Sequence, residues 1–188
     1  MKTTIDSLSH QEVELCKYVD SLAGSMDLKD EQLQAHGIYD QSLNIHKSYL
    51  DLFFNTAQEE TQLEILKRLI FLNWYAMVTP PWCSGIQDLD RSTVFDSYAI
   101  LNDYLSNNKI DEEFKWMLSY YSSWDFAILS FSEDKLSALT NFVKEVDPSI
   151  LHAPKKELPK GTMITEGRWV CIGSAVRLKR IRFLNDIQ

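Results

Sequence analysis

The stretch Thr61-Gln62-Leu63-Glu64-Ile65-Leu66-Lys67-Arg68-Leu69-Ile70-Phe71-Leu72-Asn73-Trp74-Tyr75-Ala76-Met77-Val78 decides how this chain folds. Over 63–78, apolar side chains occupy nearly every direction around a helical axis, with Lys67, Arg68 and Asn73 as the main polar interruptions. A helix apolar on one face lies at a surface, whereas one apolar all round is enclosed by other helices. The pattern therefore predicts a bundle built around this segment. Thr61-Gln62-Leu63-Glu64 has the form of a capping box, in which a hydroxyl and a carboxylate satisfy each other's backbone amides, and predicts the helix start. Thr79-Pro80-Pro81 predicts its end, because prolines remove donors and push the preceding residue away from helical angles.

Upstream, Ser9-His10-Gln11-Glu12 reads as another capping box, followed by Val13, Cys16, Val19, Leu22 and Ala23 at helical spacing and by Gly24 as a left-handed stop. Asp27 is the expected cap of a second helix that continues through Gly37 to the neighbourhood of Gln58. Its stripe of Tyr39, Leu43, His46, Leu50, Phe53 and Ala57 steps by four and three, as one buried face does.

Downstream, Asp90 is positioned to cap a fourth helix with Val94, Tyr98, Leu101 and Leu105 on one face and Ser106-Asn107-Asn108 as its exit. Asp111, Glu112 and Glu113 place carboxylates at the positive end of a fifth, where the helix dipole favours them. That helix carries Phe114, Met117, Leu118, Tyr121 and Trp124. The run 126–131 reads equally as more helix or as a buried strand. Ser132 is expected to begin a sixth helix with Leu136, Leu139, Val143 and Val146, stopped by Asp147-Pro148. Residues 154–161 are a proline-punctuated connector, and 163–165 and 169–172 flank a Glu166-Gly167 turn signal in the manner of a short hairpin. Residues 175–184 fit a third strand better than a helix. The expected fold is mainly α, a single-domain bundle of about six helices with a small C-terminal β element.

Charge divides the chain in the same place. Residues 1–147 carry 24 Asp and Glu against 11 Lys and Arg, a net of −13, and 148–188 carry 3 against 8, a net of +5, which together give −8. The expectation is an acidic helical body, 1–147, with a basic segment, 148–188, packed on it as part of one domain. At 188 residues and 45% hydrophobic content the chain suffices for one core. Its start lacks an apolar leader, and the most apolar run, 69–78, is too short to span a bilayer, so a cytoplasmic protein with no membrane partner is expected. Cys16, Cys83 and Cys171 are odd in number and in no C-x-x-C pair, and read as reduced thiols.

No phosphate loop, dinucleotide fingerprint, serine elbow or zinc-protease motif is present, which lowers the prior for an enzyme. No cofactor and no metal are expected. Ten residues, about 15 Å of helix, separate His36 from His46, so the two cannot share one ion on a continuous helix. His36 falls on the apolar stripe extended back from Tyr39, with Asp40 four residues on as a possible acceptor for its imidazole. Pro80-Pro81-Trp82-Cys83-Ser84-Gly85 could hold Trp82 and Cys83 at a cleft mouth beside Trp74 and Tyr75, although Cys83 has no neighbouring His or Lys to activate it. Otherwise the segment is an inter-helix loop. Trp116, Tyr120, Tyr121 and Trp124 form an aromatic cluster suited to a core or an interface.

Arg168, Trp169, Arg177, Lys179, Arg180 and Arg182 alternate basic and apolar character, but a net-acidic chain lacks the footprint of a nucleic-acid binder. The expected function is a non-enzymatic protein-interaction module whose acidic surface, with Asp111, Glu112 and Glu113 its densest carboxylate run, binds a basic partner as an inhibitor or immunity-type protein does. The alternative is an enzyme or small-ligand binder using a cleft near His36, Asp40, Trp74, Tyr75, Trp82 and Cys83.

Overall fold

Every residue from 65 to 74 is buried, so the segment that reads as apolar all round is the centre of the described helical bundle. The computed structural model describes residues 3–147; the expected hairpin, the strand at 175–184 and the basic side chains beyond Pro148 lie outside the described residues. The elements are α1 (Ile5–Ser21), α2 (Met26–Ala35), α3 (Ile38–Phe54), α4 (Glu59–Val78), α5 (Pro81–Ser84), α6 (Arg91–Ser106), α7 (Glu112–Tyr121), a 3-10 turn (Ser122–Trp124), α8 (Phe126–Ser132) and α9 (Ser137–Glu145). Among the described residues there is no strand. Helix α4 packs against α3, α5, α6 and α8, with α1 and α2 on α3 and with α9 bridging α6 and α8.

The described residues hold nine α-helices rather than about six, because one expected helix is divided and two segments outside the expected helices form short helices of their own. The long second helix breaks at Gly37, whose φ of 62° lies in the left-handed region and redirects the chain between α2 and α3. Prolines 80 and 81 end α4, as expected, and then start the one-turn helix α5 instead of a loop. Gly85 ends that turn at φ +69°, and a Cβ there would lie 2.7 Å from Val19 Cγ2. The run 126–131 is helical, within α8. Ser132 closes α8 rather than opening the last helix, and Leu136 sits at the N-cap of α9.

The caps show where local signals hold. Asp90 accepts from the Thr93 amide and Asp111 from the Phe114 amide, as their positions imply. Neither S/T-x-x-E pattern begins a helix. Helix α1 starts earlier, with Thr4 and Ser7 forming the reciprocal cap, and α4 starts at Glu59 after Gln58. Ser25, not Asp27, caps α2.

Glu12 is diverted from its expected cap into the core. Its Oε2 accepts from Tyr49 Oη at 3.0 Å and from Arg68 Nη1 at 3.2 Å, joining α1, α3 and α4. Burial raises the Glu12 carboxyl above its ordinary value against the opposing pull of Arg68 and Tyr49. Ala57 is exposed beyond the end of α3, whereas Tyr39, His46, Leu50 and Phe53 of the expected stripe are buried.

Asn73 makes the second polar connection. Ser97 Oγ donates to the Val94 carbonyl at 2.8 Å, so it accepts from Asn73 Nδ2 at 2.7 Å. The Asn73 Oδ1 therefore faces His46 Nε2, 2.8 Å away, and that nitrogen must carry the proton. His46 is wholly buried and its Nδ1 has no hydrogen-bond partner among the described residues. A proton added there would be a buried, unpaired donor. Burial accordingly pulls its pKa from 6.5 down to about 4, against the opposing bond to Asn73.

Because the folded pKa lies below the unfolded one, the neutral imidazole's contribution is complete above pH 6.5 and is lost as pH falls towards about 4. The shift corresponds to about 3 kcal/mol. His46→Leu should lower stability at pH 7 by about 1–3 kcal/mol, since Asn73 Oδ1 loses its donor, yet flatten the pH dependence between these values. Urea titrations across that range measure both effects; an undiminished slope in the variant would assign the acid sensitivity to other groups.

Candidate functional site

Lys67 is the third polar interruption of α4, and its side chain is 1% exposed. An ammonium at such a position needs acceptors for three N–H groups. It finds them in Glu64 Oε1 at 2.7 Å, Asp111 Oδ2 at 2.7 Å and Glu113 Oε2 at 2.8 Å. Glu64 is one turn back on α4, while Asp111 and Glu113 come from the start of α7. Burial opposes the charged ammonium, but the bonds to Asp111, Glu113 and Glu64 outweigh it and hold its pKa above the ordinary lysine value.

Asp111 is bound twice, since its Oδ1 also caps α7 by accepting from the Phe114 amide at 2.7 Å. Oxygens of Glu64, Asp111 and Glu113 all lie within 4.8 Å of one another, a spacing that would suit a metal ion. The Lys67 ammonium bonds all three carboxylates, so the arrangement is explained as an ion-pair cluster that docks α7 on α4. Around it lie Glu59 and Glu60 in the first turn of α4 and Glu112 in the first turn of α7. Lys109 reaches Glu59 at 3.4 Å, an exposed pair.

Of the expected partner-binding run, only Glu112 is outside this cluster. Asp111 and Glu113 help to neutralise Lys67, so their removal would disturb the fold as well as any docking surface. The involvement of Glu64 and Lys67 was not anticipated. The signal for it was present: a lysine enclosed by apolar residues requires acidic partners, and Glu64 lies three residues before it.

The expected cleft is not assembled as anticipated. His36 is exposed at the C-cap of α2, its Nδ1 donating to the Gln32 carbonyl at 2.8 Å and its ring 5.1 Å from that of Tyr18. Asp40 is exposed on α3 beyond the Gly37 break, so the continuous-helix geometry that would pair it with His36 does not exist. Trp82 packs on the cluster of Val19, Leu33, Ile38 and Tyr39. Cys83 is a free thiol, as expected, but an exposed one rather than one in or near the core.

Trp74 and Tyr75 belong instead to the aromatic assembly with α7. Trp74 stacks on Tyr121 at 4.6 Å between centroids and meets Tyr120 edge-on at 5.9 Å. Tyr75 stacks on Phe71 at 5.2 Å, and burial raises its hydroxyl pKa to about 12, with smaller contributions from Asp20 and Cys83. Trp116 and Tyr120, one turn apart on α7 and half-buried, stack at 5.9 Å with planes 15° apart.

No protein-family model matches this chain, and neither the curated proteins nor the solved structures include one significantly similar to it. No helix among the described residues is long and apolar enough to cross a membrane.

Replacing Lys67 by Met should leave Glu64, Asp111 and Glu113 facing one another around an apolar side chain. The expected loss at pH 7 is on the order of 3 kcal/mol, the scale of breaking a buried pair. The deficit should shrink below the ordinary carboxyl range as protonation removes the repulsion. Thermal melts at pH 7 and pH 3.5 compare the two; a deficit equal at both would show that lost packing, not charge, sets the cost.

Proposed function

We propose that this protein is a non-enzymatic interaction module that receives a basic protein partner on the acidic end formed by the first turns of α4 and α7, acting as an inhibitor or immunity-type protein does. The observation that supports it is a local excess of charge. Glu59, Glu60, Glu64, Asp111, Glu112 and Glu113 gather there against Lys67, Lys109 and Lys115, six carboxylates to three ammoniums, a net of −3. The positive ends of two helix dipoles favour this gathering.

Glu59, Glu60 and Glu112 are exposed and are not ligands of Lys67. Their field extends into solvent for about a Debye length, 8 Å at physiological salt, which is enough to steer an approaching cation-rich surface. The same field disfavours phosphate backbones, so nucleic acid is not the proposed partner. Cytoplasmic location and the absence of cofactor remain part of this reading as expectations from sequence.

The combined change Glu59→Gln, Glu60→Gln and Glu112→Gln should reduce the association rate with the basic partner about ten-fold at low salt and weaken its dependence on ionic strength. The fold should survive the change with a loss of at most about 1–3 kcal/mol from the two helix dipoles, because the Glu59 to Lys109 ion pair is exposed. Stopped-flow association at several salt concentrations provides the measurement. A rate unaffected by the three changes would move the docking surface elsewhere on the molecule.

A further inference from the structure

The outward face of α7 carries aromatic rings directly after its carboxylates. Glu112, Trp116 and Tyr120 recur every four residues and so lie along one side of the helix. Trp116 and Tyr120 are half-buried and stacked nearly parallel, with planes 15° apart at 5.9 Å between centroids. Tyr120 is backed in turn by the buried Trp74, so the pair is held on its inner side. The result is a fixed aromatic shelf leading away from a strongly acidic helix end.

We propose that this shelf and the adjoining carboxylates accept an arginine-rich segment of the basic partner; the inference rests on the acidic-end reading above and names the chemistry of what docks there. Charge complementarity selects a cation, and the rings select among cations. A guanidinium is planar and weakly hydrated, so it can lie against an aromatic face while its edge donates to a carboxylate. A lysine ammonium is compact and strongly hydrated and gains less from a flat surface. Glu112 supplies a carboxylate one turn from Trp116, with Asp111 beside it, 43% exposed at its side chain despite its bond to Lys67. An extended segment advances about 6.6 Å over two residues, close to the helical rise of about 6 Å between Glu112 and Trp116 or Trp116 and Tyr120. Arginines at alternate positions would therefore meet successive sites on the shelf.

The test uses the full chain and two synthetic peptides of equal length and charge, one with arginine and one with lysine at alternate positions between serines. At low ionic strength both should bind, both should weaken as salt is added, and the arginine peptide should bind about ten-fold more tightly and alter tryptophan fluorescence. The double variant Trp116→Leu and Tyr120→Leu should bring the arginine peptide to the affinity of the lysine peptide while leaving the latter unchanged. Should that variant fail to fold, Tyr120→Leu and Trp116→Phe made singly should each remove part of the arginine preference. Equal binding of the two peptides, or a preference that survives these changes, would overturn the shelf while leaving the acidic-end reading intact. Binding of neither peptide would overturn both.

Discussion

A helix buried along ten consecutive residues leaves its polar side chains no access to bulk water, and α4 carries three of them. Arg68, Lys67 and Asn73 point to different neighbours. Arg68 meets Glu12 of α1 and Tyr49 of α3, Lys67 meets Asp111 and Glu113 at the start of α7, and Asn73 meets His46 of α3 and Ser97 of α6. Dispersion and apolar burial would tolerate sliding or rotation of α4 among similar side chains. A buried charge or amide parted from its partner costs several times more than a displaced methyl group. These three positions therefore set the register of the helices around α4.

The same requirement shapes the surface. Lys67 draws Asp111 and Glu113 inward, and the α7 dipole adds a further reason for acidic residues in its first turn. Glu59, Glu60 and Glu112 remain exposed without bonding Lys67, and Asp111 stays 43% exposed at its side chain although it does. Adjacent carboxylates are thus divided between those that neutralise Lys67 and those that face solvent. Asp111 is held twice, since one oxygen caps a helix and the other binds an ammonium.

Several features were legible in the sequence for a local reason. The all-round apolar pattern of 63–78 marked the central helix, Pro80 and Pro81 marked its end, and Asp90 and Asp111 marked helix starts, because each rests on contacts within a few residues. His46 was legible as a buried neutral imidazole from its place in the stripe. The pattern failed where a distant partner took the same side chain. Glu12 and Glu64 each complete a capping-box motif on paper, but Arg68 claims Glu12 and Lys67 claims Glu64. Periodicity also carried α2 into α3 and placed His36 inward. Gly37 adopts a left-handed conformation instead, which breaks that phase and leaves His36 exposed.

By itself the sequence determined the helical class, the central segment and the acidic character of 1–147, since hydrophobic period, proline chemistry and net charge need no knowledge of distant contacts. The tertiary structure alone decided which carboxylates are spent inside and which face outward. It also decided that Trp116 and Tyr120 stack on each other, and that Lys67, Arg68 and Asn73 are anchors rather than interruptions. The physical reason is that a polar group's role depends on what lies across from it once water is excluded, and for α4 those partners come from residues as far along the chain as Glu12 and Glu113.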